Sequence, residues 1–477
     1  MAQMERRSRQ DIRARLLLTC MALAALAFAS VSCQTTRAAD EAGFTPTDKP
    51  NSPMGVARGI NPGRVVWAHD PAATDWDGKA DHWWDDTHAN QKAVDEMMSR
   101  ALLALTGEKT EPAAWEALFR HFNKTHGYKD APYQPGEKIA VKVNLNNSGG
   151  GPWGNGANAS PQMIRALLYQ LVQNAKVPQA DIAVYDASRR FGPPILNKCH
   201  AEFPEVRFVE RGLSAAEKEQ LAKNPTAQYR PAEAEPDKTV AIHYADPQVL
   251  DSGKTYLPKC VTEAKYLINF ALLKGHNVAG VTLNAKNHFG SVWRERDVGL
   301  WNMGWSPGNM HCFVSVRDWT ECKAQKMGAY NALVELMGHK HLDGKAVLFL
   351  IDGLYGAPHQ GCEPQKWQSA PFNGDWTSSL FVSQDEVAIE SVALDFMRSE
   401  PTLREYVRGP MDNYLHEAAL ADKPPSGAAY DPEGDGTRLE SLGAHEHWNN
   451  AQARQYSRNL GTGKGIELTP VPPSAAK

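Results

Sequence analysis

Three lysines, two asparagines, a histidine, two aspartates and a glycine stand where apolar runs of this 477-residue chain end. Lys142 and Asn144 close the run KIAVKVN, and Asp186 ends IAVYD. Lys274 and His276 follow LINFALL, Lys286, Asn287 and Gly290 fall in VTLNAKNHFGS, and Asp352 ends VLFLID. Ammonium groups and amide N–H donors converging on one place favour an anion, a carboxylate or a phosphate. In that chemistry His276, Lys286 and Lys274 are the catalytic candidates, with His276 as general acid or base. Lys142, Asn144, Asn287 and Gly290 would hold the ligand. Asp186 and Asp352 would orient the histidine or bind a divalent metal. Each residue alone has a plainer use: a strand-end lysine is usually a solvated charge, and an aspartate there often caps a loop. The conjunction is what points to a shared site.

Other chemistries find less support. His445-Glu446-His447 places two histidines two apart, so on an extended segment both face one side. An H-x-H on a polar stretch is nevertheless more often surface than ligand. His311, His339, His341 and His359 are further candidates, but no H-E-x-x-H occurs. No G-x-S-x-G occurs either, and Cys199-His200 and His311-Cys312 are adjacent pairs that a strand would point apart. Past residue 33 the cysteines are Cys199, Cys260, Cys312, Cys322 and Cys362, with no C-x-x-C spacing. Neither an iron–sulfur cluster nor a structural zinc site is therefore expected, and Cys312 with Cys322 is a plausible disulfide. Trp83, Trp84, Trp293, Trp301 and Trp305 lie in loop-like stretches and fit core packing better than a cleft for a ring-bearing ligand.

The elements that must position these residues read as α/β. Val65–Ala68, Lys138–Asn144, Ile182–Tyr185, Tyr266–Phe270 and Ala346–Ile351 are strand candidates. Val94, Met97, Met98, Ala101, Leu102 and Leu105 recur at helical spacing, and Gly107 closes that helix. A second helix covers Ala113 to Phe122. After the loop LNNSGGGPWGNGANA, Ser160 caps a helix with Pro161 at its first position. That loop matches neither dinucleotide nor P-loop fingerprints and reads as a turn. Strand, helix, strand over 138–186 is a βαβ unit, whose ligands bind beyond the carboxyl ends of the strands. Met327 to Met337 reads as a helix, and Ser383 with Glu386 as a capping box opening another through Met397. The expectation is a mostly parallel sheet flanked by helices, with N- and C-terminal extensions. Residues 200–260 read as an irregular insertion, 61–415 as the α/β domain, and 416–477 as an extended surface tail.

The first 33 residues read as an export signal. Arg6, Arg7, Arg9, Arg13 and Arg15 precede the apolar run Leu16–Ala29, and Ala27-Phe28-Ala29 fits a cleavage site. That run falls short of the ~20 residues a spanning helix needs, and no other approaches it. Cys33, after Ser30-Val31-Ser32, is a candidate lipid anchor, with residues 34–60 as a disordered spacer. The expected location is the periplasm or cell envelope. The chain's net charge of −4, set against six arginines and two acidic residues in the first 39, leaves about −8 beyond them. An acidic remainder argues against a nucleic-acid partner.

The segments KIAVKVNLN, ASPQMIRALLYQL, IAVYDAS, LINFALLKGHNVAGVTLNAKNHFGSV, VLFLIDGLYG and SQDEVAIESVALDFM, in that order, resemble the family called domain of unknown function 362. They span about 138 to 398, and the lysine–x–histidine followed by T-L-x-x-K-N-x-x-G is the most specific element. RVVWAHDPAATDWDG and SLGAHEHWNN resemble a secreted branch. The resemblance implies an α/β domain with a site around Lys142, Asn144, Asp186, Lys274, His276, Lys286, Asn287 and Asp352. It implies no reaction. Some relatives carry a ferredoxin-type module whose cysteines this chain lacks, and the family's usual proline in its S-x-D-P-V-A block is Glu386 here. An enzyme acting on a small anionic substrate is the leading expectation. The alternatives are a non-catalytic envelope protein that captures an anion, and a metal or redox protein.

Overall fold

The computed structural model describes residues 48–146, 153–213, 218–219, 229–249, 255–293, 309–320 and 322–473. The export signal, Cys33, residues 147–152 of the glycine-rich loop, Trp301 and Trp305 lie outside those residues.

Tyr266–His276 is an eleven-residue strand with every side chain buried. Alternate residues feed two cores: Tyr266, Ile268, Phe270 and Leu272 enter one, and Leu267, Ala271 and Leu273 the other. A strand covered on both faces reads as a continuous apolar run rather than an alternating one, which is how this segment looks in sequence. On one side it pairs in parallel with Ile139–Val143, which is followed outward by Ile182–Asp186, Arg207–Glu210 and Ala232–Glu233, all parallel. On the other side it pairs in parallel with Ala346–Ala357. Ser379–Ser383 and Arg64–His69 then continue the sheet antiparallel, and Glu467–Val471 closes it parallel to Arg64–His69. Gly280–Thr282 folds back on the end of Tyr266–His276 and completes ten strands. The fold is α/β with a mostly parallel sheet.

The helices Gln91–Thr106, Glu111–Thr125 and Pro161–Tyr169 cover one core, while Glu386–Ser399 and Asn413–Ala419 cover the other. Gly107 ends the first of these at φ +82°, where a side chain would be strained, and its N–H bonds back to Leu103. Among the described residues no helix is long and apolar enough to cross a membrane.

Several local readings differ from the structure. Ser160 makes no side-chain capping bond; its own N–H goes to Asp352. The helix at Glu386 is capped by Asp385, whose carboxylate accepts from Ala388 N, while Ser383 Oγ supports the Asp385 N–H. Only Leu333–Gly338 of the 327–337 segment is helical, because the chain turns at Gly328 (φ +76°). Residues 48–60 are ordered rather than a spacer: Met54–Gly55 pairs with Ala444–His445. Arg207–Glu210 and Ala232–Glu233, within the expected insertion, are strands of the main sheet. Of the expected tail 416–477, the described residues 416–473 are no loose surface segment, since Tyr430, Tyr456 and Ile466 are fully buried and their last strand is a sheet edge. Cys312 and Cys322 form a disulfide, and Cys199, Cys260 and Cys362 are buried.

Candidate functional site

The polar residues at the strand ends form two connected layers. The inner one is built on Lys142, a fully buried lysine facing the short helix Asn284–Asn287. Its ammonium donates to Val143 O at 2.6 Å, Asn287 Oδ1 at 3.0 Å and Asp186 Oδ2 at 3.1 Å. An ammonium has three donors, so all are committed. Burial pulls this lysine's pKa down and the Asp186 charge opposes that; three acceptors around one nitrogen favour the protonated form. Asp186 is equally occupied, because Oδ2 also accepts from Leu145 N and Oδ1 accepts from the Ser188 N–H and hydroxyl. Gly290 backs the pair: a Cβ there would lie 2.6 Å from Lys142 Nζ and 2.7 Å from Asp186 Oδ2. Lys142, Asp186 and Gly290 are thus positioning groups, with no donor or lone pair turned outward.

Asn287 extends this layer. Its Nδ2 donates to Asn269 Oδ1 at 2.9 Å, and Asn269 Nδ2 reaches Asp343 and His288. His288 pairs with Asp343 at 2.8 Å and its Nδ1 meets Ser291 Oγ at 2.7 Å. The order Asp343–His288–Ser291 imitates a nucleophilic triad, but His288 and Ser291 are fully buried and the hydroxyl is held by Tyr185, so this is a core network. Asn269 escaped the sequence reading; a polar residue inside the apolar run Tyr266–Leu273 was its signal.

The outer layer is cationic. Lys274 and His276, two apart on one strand, share a face. Gly275 between them leaves room for the Pro358 carbonyl, which a Cβ would strike. Lys274 is 1% exposed, and its Nζ has no hydrogen-bond partner among the described residues. Burial, helped by the positive charge of Arg189, pulls its pKa down to about 7. His276 lies beside it, and burial holds its pKa well below the ordinary value, with Lys286, His311, Lys274 and His359 adding to the effect. His276 Nδ1 accepts from Val278 N at 3.0 Å and Ala279 N at 3.1 Å. Two donors aimed at Nδ1 assign the ring proton to Nε2, so the ring is a neutral donor. That geometry suits donation from Nε2, to an oxyanion or as a general acid, rather than proton abstraction by this ring in its present state. Lys286 Nζ sits 3.5 Å over the Phe289 ring and 3.4 Å from His311 Nε2, and the His311 ring stacks on His276 at 6.0 Å.

Asn144 joins the layers: its Nδ2 lies 3.4 Å from Asn287 Oδ1, and its Oδ1 is buried without a partner among the described residues. Asp352 stands apart. Its carboxylate accepts from Ser160 N at 2.8 Å and Leu354 N at 3.1 Å, tying the start of the helix Pro161–Tyr169 to the sheet, and burial raises its pKa. Among the described residues, the groups of His, Cys, Asp or Glu close enough to hold an ion include neither Asp186 nor Asp352. Arg189, unforeseen in sequence, lends its charge to both layers.

A family described as a domain of unknown function (DUF362) matches residues 139–395, more than half of the chain, and this stretch contains every residue of both layers. No characterised protein in the curated set matches.

Proposed function

The chain belongs to the domain of unknown function 362 family, and from that premise we propose that it is an enzyme that binds a small carboxylate- or phosphate-bearing molecule at the outer layer. Lys274, Lys286 and the His276 Nε2–H bind the anion, and Asn144 contributes a polar edge. Lys274 is the group that moves a proton, because an amine with a pKa of about 7 exchanges one readily at neutral pH. The inner layer holds the loops that carry these residues. The observation that supports the reading best is Lys274 itself. A buried ammonium without a partner is costly, and the cost is offset when an anion arrives. We also place the protein outside the cytoplasm, on the basis of Arg6 to Ala29, with Cys33 as its candidate lipid attachment; mass spectrometry of the mature amino terminus tests that.

A thermal-shift panel of small carboxylates and phosphates tests the binding, since a ligand that prefers the folded state raises Tm by mass action. At least one compound should raise Tm in the wild type and fail to do so in Lys274→Met. A panel without any shift, or the same shift in the variant, overturns the reading. Conversion of the hit by the wild type and not by Lys274→Met separates an enzyme from a binding protein.

A further inference from the structure

His445, Glu446 and His447 are buried, not on a polar surface. Alternation along this segment turns Glu446 away, where it accepts from Ser457 and Ile466 N, and leaves both histidines on the other side. There they meet His416 from the helix Asn413–Ala419, Asp412 just before it, and Asp48 from the amino-terminal segment. Ligand atoms of Asp48, His445 and His447 lie within 4.8 Å of one another, as do those of Asp412, His416 and His445. We infer that this cluster is a binding site for a divalent transition metal of the zinc class, with His445 at its centre and the other two histidines and both aspartates around it.

Four observations carry the inference. First, His445 Nε2 is completely buried and has no hydrogen-bond partner among the described residues. A buried ring nitrogen in that state is costly unless something occupies its lone pair. Second, His416 Nε2 and Asp48 Oδ2 lie 2.6 Å apart without hydrogen-bond geometry, so they face a common point more than each other. Third, the outer ring nitrogens are already held. His445 Nδ1 meets Ser391 Oγ at 2.8 Å, and His447 Nδ1 meets Asp395 Oδ1 at 2.7 Å. Asp395 is itself fixed by Trp448 N and Tyr456. A carboxylate behind a ligating imidazole is the usual second layer of a metal site, and it turns Nε2 inward. Fourth, Asp48, Asp395 and Asp412 carry three negative charges; among the described residues the Arg398 guanidinium answers Asp412, and the His447 ring bridges Asp395 through Nδ1 and Asp412 through Nε2 at 3.3 Å. With both ring protons on His447 one negative charge is left over, and a divalent ion in place of its Nε2 proton brings the sum to zero. Three imidazoles with carboxylates select zinc or a neighbouring metal over calcium or magnesium, which prefer all-oxygen shells.

Asp48, Asp412, His416, His445 and His447 all lie outside the family match, while Ser391 and Asp395 lie at its end. The ion would therefore fasten both terminal extensions to the family domain, and none of the anion-binding residues takes part.

The full chain, carrying an affinity tag free of histidine, is purified without chelator from medium supplemented with zinc, manganese and iron salts, and its metal is counted by elemental analysis after gel filtration. The wild type and Lys274→Met should each hold about one equivalent, and His445→Ala below about a tenth. Less than a tenth of an equivalent in the wild type, or an undiminished content in a folded His445→Ala, overturns the inference. Should His445→Ala not fold, the wild type is stripped with dipicolinate and titrated with cobalt. Visible d–d bands saturating near one equivalent support the site, and a colourless protein overturns it.

Discussion

Two lysines on neighbouring strands have opposite fates. Lys142 is held by three acceptors, whereas Lys274 Nζ has no hydrogen-bond partner among the described residues, although both are buried. For Lys274 the sign of the pH dependence follows directly. Its pKa in the free protein is about 7, and a bound anion stabilises the charged form and raises it. Affinity should be greatest below pH 7 and fall as pH rises past it, up to about tenfold per pH unit until the raised pKa is passed. Calorimetry at pH 6 and 8.5 checks this, and Lys274→Met should flatten the profile; equal affinities at both values would remove Lys274 from the ligand. For Lys142 the expected loss is in stability. Lys142→Met leaves Asp186 charged, buried and without its cation, at a cost of about 3–5 kcal/mol in denaturant unfolding. A loss under 1 kcal/mol would mean that the pair contributes little. Lys142, Asn144, Asn287 and His276 were visible in the sequence because each ends or follows an apolar run. Asn269 and Arg189 were not, since their partners come from strands and loops far away in the chain.

Among the elements, the strands nearest the centre were the easiest to read. Ile139–Val143, Ile182–Asp186 and Ala346–Ala357 are buried almost throughout and apolar apart from Lys142, Asp186 and Asp352, because both faces are covered. Ser379–Ser383 and Glu467–Val471 were missed: short, mixed in composition, and strands only by virtue of what they pair with. The last of these carries weight. Leu468 is buried beside Val65 of the neighbouring strand Arg64–His69, and its N–H donates to Asn459 Oδ1. Leu468→Ala should destabilise the protein by about 2–5 kcal/mol, as in other large-to-small core changes. A change under about 0.5 kcal/mol, typical of surface substitutions, would return the segment to the status of a loose tail.

Over the whole molecule, burial of ionisable groups sets the response to pH. Glu335 is fully buried, accepts from Ala245 N and Tyr330, and has its pKa pushed up to about 8 by desolvation. Between its ordinary value near 4.5 and 8 the folded state therefore holds a proton that the unfolded state has released. Stability from this group is lost as pH rises through that window. Glu335→Gln, which cannot ionise, should melt close to the wild type at pH 4.5 and progressively above it up to pH 8. Parallel melting curves across the range would mean that the carboxyl titrates normally. His339 and His359, held down to about 3 and about 4 by burial, act in the other direction below pH 6.5 and appear in both proteins alike.

Periodicity and residue type, both local, determined the α/β class, the central strands and the set of anion-binding candidates; they depend on side chains a few positions apart. Tertiary structure alone decided which candidates remain open to a ligand. Lys142 and Asp186 satisfy each other, Asp352 serves a helix start, and Lys274 is left without a partner among the described residues. It also decided that Asp48 and His445, 397 positions apart, share one cluster. No spacing rule covers such a distance. What brings the two together is the pairing of Met54–Gly55 with Ala444–His445, a contact between segments nearly 400 positions apart that only the folded chain makes.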